Sequence, residues 1–277
     1  MLYKHLNDGG KIPVLGLGTY QLTGKEGVKS VRQGLDLGYR LLDTAAMYGN
    51  EAEVGKAIRE SGINREEVLV TSKVWRDMLG YEGARRSCEQ SLSRLNLDYL
   101  DLLLIHWPAN AKNFSQWKKV NADTWRAFEE LYAEGKVRSV GVSNFLPEHL
   151  DALLQEATIK PAVNQIEFHP GYWQEEAWRY CIDRDIAIEA WSPLAKGEVF
   201  GNAVLKEIAG KHEKSVAQIC LRWVIQHEAV VIPKSSSPER MRENLGIFNF
   251  ELTEADMQHI DNLPEMGFSG EHPNQWG

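Results

Sequence analysis

Eight short, β-rich apolar runs alternate with amphipathic stretches in a chain of 277 residues. This alternation predicts an α/β fold, a closed (β/α)8 or TIM barrel, formed by residues 1–277 as one domain. The runs fall at residues 14–19, 40–44, 68–74, 100–107, 137–143, 162–167, 186–192 and 229–234. Several are apolar at nearly every position, as in Leu102-Leu103-Leu104-Ile105, which suits parallel strands covered on both faces.

The elements follow in order. Leu6-Asn7-Asp8-Gly9-Gly10-Lys11-Ile12 sets turn residues between short apolar flanks, predicting a hairpin that plugs the bottom of the barrel. The first helix, residues 28–37, carries Val28, Val31, Leu35 and Leu37. A second at 51–60 groups Val54, Ala57 and Ile58, and a third at 85–95 groups Cys88, Leu92 and Leu95. A fourth at 124–133 keeps Trp125, Phe128, Leu131 and Tyr132 mostly on one face. Further helices are expected at 147–156, 175–183, 202–211 and 216–226, with Pro147 and Ser215 as start signals, and another helix begins near Pro238. After Leu263 the chain is rich in Gly, Pro and polar residues and reads as a loop ending near Trp276.

Composition narrows the function. With 43% hydrophobic and 25% charged residues the chain is an ordinary globular one. A net charge of -8 argues against nucleic acid or an anionic membrane as partner, so an anionic ligand needs a local basic cluster. Cys88, Cys181 and Cys220 form no Cys-x-x-Cys pair and are expected to be free thiols in a reducing compartment. The polar start Leu2-Tyr3-Lys4-His5-Leu6 cannot be a signal-peptide core, and no stretch has the length of a membrane span, so a cytoplasmic location is expected. His106, His149 and His169 are scattered and no His-x-x-x-His pair exists, so no metal is expected. His169, before Pro170, reads as a structural hydrogen-bonder.

The chemistry lies in Asp43, Tyr48, Lys73 and His106, read as the C-terminal ends of four successive strands. Barrel enzymes place catalysis at that address. A carboxylate, a phenol, an amine and an imidazole together suggest proton transfer. Tyr48 donates a proton more readily if the Lys73 cation lowers its pKa; Asp43 holds the Lys73 ammonium, and His106 orients the oxygen of a substrate.

A second cluster follows the eighth run. Lys234 and Arg240 bring two cations to hydroxyls and to the amides of a helix start in Ile232-Pro233-Lys234-Ser235-Ser236-Ser237-Pro238-Glu239-Arg240, which suits a phosphate monoester. Gly16-Leu17-Gly18 begins like a Rossmann fingerprint, but Gln21 stands where the third glycine belongs; those glycines read as a tight strand-to-loop turn. Tyr20, Met47, Trp75 and Trp107 follow strand ends and are expected to line an aromatic mouth, with Trp276 joining if the tail folds over. Lys112, Lys118 and Lys119, in the loop after the fourth run, read as solvated charge.

The flanks Gly-Tyr-Arg-Leu-Leu-Asp-Thr-Ala at 38–45 and Ser-Lys-Val-Trp at 72–75 resemble the aldo-keto reductases, and the resemblance covers essentially the whole chain. It resembles most the bacterial aldehyde and 2,5-diketo-gluconate reductase-like branch. The resemblance implies NADPH as cofactor. Lys234, Ser235 and Arg240 would then hold the adenosine 2'-phosphate, with Glu243 and Asn244 near the adenine. Ser143, Asn144 and Gln165 would hold the carboxamide, Trp191 would stack on the nicotinamide, and Ser192 and Leu194 would meet the pyrophosphate. The implied activity is reduction of aldehydes or ketones, keto-sugars and keto acids included, by a monomer whose only partner is a small carbonyl compound. The rival reading is a redox-sensing binding or regulatory subunit on the same barrel. The complete tetrad, the compact length and the lack of an extended N-terminal segment weigh against it.

Overall fold

The computed structural model describes residues 2–275, so the expectation placed on Trp276 lies outside the described residues. β1 (Tyr3–His5) and β2 (Lys11–Pro13) pair antiparallel. Then β3 (Leu17–Gly18) leads to α1 (Gly24–Asp36), β4 (Leu41–Asp43) to α2 (Glu51–Ser61), and β5 (Leu69–Val74) to α3 (Tyr81–Leu95). Next β6 (Leu100–Ile105) leads to α4 (Trp117–Ala133), β7 (Val137–Ser143) to α5 (Pro147–Leu154), and β8 (Val163–Glu167) to α6 (Glu175–Ile182). β9 (Ala187–Trp191) is followed by α7 (Ala203–His212) and α8 (Val216–Gln226), and β10 (Val230–Val231) by α9 (Pro238–Leu245) and α10 (Glu254–Asp261).

β3 to β10 form eight parallel strands in sequence order, and bridges Leu15 to Val231 and Gly18 to Lys234 close the seam between first and last. The seam explains the two early glycines. A Cβ on Gly18 would lie 2.8 Å from the Ile232 carbonyl oxygen, and one on Gly16 would meet Leu41 and Ile232 side chains. They therefore let two strands approach at the closure, which corrects their reading as a tight turn.

Strand periodicity of two divides the core. Leu15, Leu17, Leu42, Val70, Leu103, Ile105, Val140, Val142, Ile166, Ile188 and Val231 pack outward with the buried faces of the helices. Leu41, Leu102, Leu104, Val163, Ala187, Val230 and Ile232 form a smaller inner cluster with Leu6 and Ile12 of the hairpin. The hairpin is thus the barrel's floor, and Asn7 fastens it by donating to the Pro161 and Asp185 carbonyls at 2.8 and 2.7 Å.

α1 and α3 begin four residues before their expected starts, at Gly24 and Tyr81, and two further helices depart from expectation. α4 begins at Trp117 rather than at 124 because its first turns bury polar side chains that apolar periodicity does not register. Asn121 bonds the Ala109 amide and carbonyl at 2.9 and 3.1 Å, and Thr124 accepts from the Gly80 amide at 2.7 Å. α10 was not anticipated; its start is a capping box of Thr253 with Asp256. The closing segment is tied down by Ser269, whose amide and hydroxyl donate to Glu167 at 3.0 and 2.7 Å, and by Asn110, which donates to the Pro273 carbonyl at 2.7 Å.

Gly18→Ala tests the seam. The new methyl group meets backbone rather than a movable side chain, so we expect a loss of about 1–3 kcal/mol. It would be read as an earlier urea unfolding midpoint with an unchanged slope.

Candidate active site

Strand alternation sets the polar groups one step above the inner apolar cluster. Leu41 is followed two residues on by Asp43, Leu104 by His106, Val163 by Gln165, and Ala187 by Glu189. Asp43, Lys73, Gln165 and Glu189 are all buried, as is His106. Three tetrad members lie at or just beyond strand ends. Tyr48 does not: it closes a short 3-10 turn, Ala46–Tyr48, after β4. This corrects its placement on a strand of its own. The turn is held by Asn50, which is fully buried. Thr44 donates to Asn50 Oδ1 at 2.8 Å, and Asn50 Nδ2 donates to the Thr19 and Leu22 carbonyls at 2.7 and 3.0 Å. Gly49 takes φ 66°, the left-handed conformation that ends the turn.

Lys73 Nζ donates to Asp43 Oδ1 at 2.7 Å, to the Thr44 carbonyl at 3.0 Å and to the Tyr48 hydroxyl at 3.2 Å. Those are all three protons of the ammonium. Burial works to lower the Lys73 pKa, but Asp43, Tyr48 and Glu189 raise it above its ordinary value, so the group stays charged. Tyr48 is pushed up to about 12, first by burial and with Lys73 opposing. The expectation that Lys73 would bring Tyr48 below its ordinary value therefore fails: burial outweighs the cation. Burial, and then the Lys73 charge, hold His106 well below the usual imidazole range. His106 is a neutral ring, set edge-on to Tyr48 at 5.7 Å and to Trp75 at 5.0 Å between centroids, and its buried Nδ1 has no hydrogen-bond partner.

Beside the tetrad lies an amide network. Ser143 Oγ donates to the Gln165 carbonyl at 2.8 Å, and Asn144 Nδ2 donates to the His106 carbonyl at 2.9 Å and to Ser143 Oγ at 3.0 Å. Trp191 Nε1 donates to Asn144 Oδ1 at 2.8 Å, which orients the indole at the end of β9. Gln165 Nε2 donates to Asp43 Oδ2 and to Glu189 Oε2, both at 2.9 Å. Sequence reasoning missed Glu189. Its signal was a lone acid in an otherwise apolar strand, two residues before Trp191 and hence on the same face. The left-handed backbone lies at the same rim: Asn144, Ser192 and Ala195 have φ of 62°, 54° and 47°.

The basic cluster sits across the seam. Lys234 bridges to Gly18, and Ser237 caps α9 by accepting from the Arg240 amide at 3.3 Å. Lys234 and Arg240 are exposed and make no ion pair among the described residues. Ser235 is buried and bonds Ser237, Glu243 is half-buried, and Asn244 is buried against the Tyr39 hydroxyl. Ser192 and Leu194 are half-buried. At the mouth, the Tyr20 ring lies 5.1 Å from that of Tyr48, Met47 is exposed beside it, and Trp107 is buried. Lys112 donates to the Gln275 carbonyl, Lys118 lies over Trp117, and Lys119 pairs with Asp123. His169 bonds the Pro170 carbonyl and lies 3.4 Å from Glu167, the structural role expected. Among the described residues no cluster of His, Cys, Asp and Glu could hold a metal.

Glu189 makes stability depend on pH. Burial, and then Asp43, push its carboxyl from 4.5 to about 8, with Gln165 and Lys73 opposing. Oε1 is buried with no partner, so a proton there costs less than an unpaired charge. Because the folded pKa lies above the unfolded one, the acid's favourable contribution is complete below about pH 4.5. It is lost as pH rises towards 8, where the unfolded chain has released the proton and the folded one has not. Glu189→Gln removes that loss. The melting temperature of the variant minus that of the wild type should therefore rise from pH 4.5 to 8 and level off above; a difference independent of pH would contradict the assignment.

Residues 14–265 match the Aldo/keto reductase family. Glyoxal reductase of Bacillus subtilis is 49% identical over 271 residues, covering 98% of this chain and 95% of that protein. The crystal structure of an aldo/keto reductase from Brucella melitensis is 46% identical, with a TM-score of 0.89 over 94% of this chain and 98% of its own. A Bombyx mori aldo-keto reductase solved in complex with NADP is 32% identical, with a TM-score of 0.90 over 100% and 99%. With the barrel and the match together, the chain belongs to the aldo/keto reductase family.

Proposed function

We propose that the protein reduces aldehydes or ketones to alcohols with NADPH, and that Tyr48 delivers the proton. The observation that carries this reading is the Lys73 ammonium, which touches Asp43 and Tyr48 together at the catalytic end of the barrel. When bound, the dinucleotide supplies the hydride. The residues fit such a group: Trp191 is an oriented half-buried indole, Gln165 and Asn144 offer amides, and Lys234 and Arg240 are cations that no carboxylate among the described residues has taken. In this reading Lys234, Ser235 and Arg240 hold the 2'-phosphate, Glu243 and Asn244 flank the adenine, and Ser192 and Leu194 meet the pyrophosphate.

The protein's own work is proton transfer. The Tyr48 hydroxyl is held as a neutral donor at neutral pH, because its pKa of about 12 keeps the proton on until an alkoxide develops nearby. As the proton leaves, the phenolate gains the full attraction of Lys73 at 3.2 Å, so the charge is stabilised when it forms. The neutral His106 ring hydrogen-bonds the carbonyl oxygen and sets its angle to Tyr48. Tyr20, Met47, Trp75 and Trp107 supply an aromatic and thioether wall that favours a small or flat carbonyl compound. The glyoxal reductase relative supports the aldehyde class, with keto-sugars and keto acids the next candidates.

Tyr48→Phe should bind NADPH as the wild type does and lose at least about a hundredfold in turnover, the scale of a general acid. Stopped-flow binding beside steady-state rates makes the comparison, and a near-normal rate would remove Tyr48 from the mechanism. Arg240→Ala should weaken NADPH binding by about 2 kcal/mol, as for loss of a charge-assisted contact, and NADH much less. Equal losses for the two dinucleotides in a titration would show that Arg240 does not read the 2'-phosphate.

A further inference from the structure

We propose that Glu189 is a positioning residue that fixes which atom of the Gln165 amide faces the cofactor. The proposal rests on the reading that the nicotinamide carboxamide packs against Gln165. Gln165 Nε2 carries two protons, and the barrel takes both: Asp43 Oδ2 accepts one and Glu189 Oε2 the other, each at 2.9 Å. The two N–H bonds of the amide diverge, so Asp43 takes one through Oδ2 while its Oδ1 accepts from Lys73 at 2.7 Å, and the other is met by Glu189. Glu189 and Gln165 are register partners in neighbouring strands, so the acid lies where the second N–H needs an acceptor. With both protons committed, Oε1 is the polar atom the amide has left for a ligand. A ligand group that donates is accepted there, and one that only accepts is refused.

The inference follows from the geometry rather than from charge. The charged and titratable groups around Glu189 are Asp43, Lys73 and Tyr48, all within the same buried cluster, and none of them reaches the second N–H of Gln165. The Glu189 carboxyl is fully buried, so water cannot stand in as that acceptor without entering the barrel. Removal of the acceptor leaves one N–H bonded to Asp43 and the other unpaired in the interior. That N–H then turns to the nearest oxygen a bound cofactor offers, the carbonyl of its carboxamide. The amide then presents a donor where it presented an acceptor, and the carboxamide NH2 loses its partner.

A cofactor analogue separates these states. In 3-acetylpyridine adenine dinucleotide phosphate the ring carries a carbonyl oxygen as NADP+ does, but a methyl group replaces the amide NH2. Dissociation constants for both are measured by quenching of tryptophan fluorescence in the wild type and in Glu189→Leu, Glu189→Asp, Glu189→Gln and Gln165→Leu. Leu removes the acceptor and fills its volume, and Asp withdraws it by one methylene, so failure of either to fold leaves the other. The wild type should prefer NADP+ by about tenfold, the scale of one buried hydrogen bond lost. Glu189→Leu and Glu189→Asp should bring the ratio close to one, and Glu189→Gln, which keeps an acceptor oxygen, should restore the preference. A merely structural role would weaken both ligands alike and leave the ratio in place. If Gln165→Leu abolishes the preference while Glu189→Leu and Glu189→Asp keep it, the positioning role of Glu189 is wrong and the nicotinamide reading stands. If Gln165→Leu itself keeps the preference, the carboxamide does not meet Gln165, and the proposal falls with that reading.

Discussion

The Lys73 ammonium, with no exposure to water, constrains everything around it. A charge so placed costs several kcal/mol to desolvate unless its partners are complete, and here they are: a carboxylate, a main-chain carbonyl and a phenol each take one proton. Supplying the three from one strand end and the turn that follows it dictates the local chain path. Asp43 must end β4, Thr44 must turn its carbonyl inward, and the chain must return within four residues to bring Tyr48 into reach. Asn50 makes that return possible by bonding Thr44 and the carbonyls of the preceding loop. The charge also explains the floor. Leu41, Leu102, Leu104 and the hairpin's Ile12 fill the barrel beneath it and keep water from rising to meet it.

Burial, with the ion pair beside it, then fixes the protonation of the remaining groups. Desolvation disfavours the charged form of both Glu189 and His106, with Asp43 adding to it at the acid and Lys73 at the imidazole. Both respond in the expected directions, the acid up and the imidazole down. The site at neutral pH is one ion pair surrounded by neutral hydrogen-bonding groups. In the proposed reaction a negative charge developing on a substrate oxygen would therefore meet a single cation through Tyr48, with no second carboxylate opposing it.

Much of this was legible in the sequence, because the strongest signals are local. Runs such as Leu102-Leu103-Leu104-Ile105 announce a strand covered on both faces, and Ser215 announces the start of α8. The tetrad was legible because reactive residues ended or followed such runs. What was hidden depends on facing groups that are distant in the chain. Asn121 and Thr124 in α4 are polar residues turned inward because Ala109 and Gly80 wait for them. Gly16 and Gly18 look like a turn until the chain just after β10, at Ile232 and Lys234, is seen lying against them. Glu189 could be marked as odd in its strand, but its partner Gln165 was known only as a separate amide. The direction of the Tyr48 shift is hidden for the same reason: the neighbouring cation follows from order along the chain, whereas the weight of burial follows from the closed barrel.

The same division of labour accounts for where strain is tolerated. Asn144, Ser192 and Ala195 hold left-handed backbone, a conformation that costs a non-glycine residue of order 1–3 kcal/mol. All three stand just beyond the C-terminal ends of β7 and β9, where Trp191 and the amide network are set. Such residues persist only if their surroundings over-determine them. Asn144 is fixed from three sides, by His106, Ser143 and Trp191. The apolar floor and the outer helices supply stability, so the rim can keep a costly backbone that sets the Trp191 indole beside the Asn144 and Gln165 amides. The barrel separates the two demands along its axis. Two-residue alternation is the reason it can, since each strand passes from floor to site in a single step on the same face.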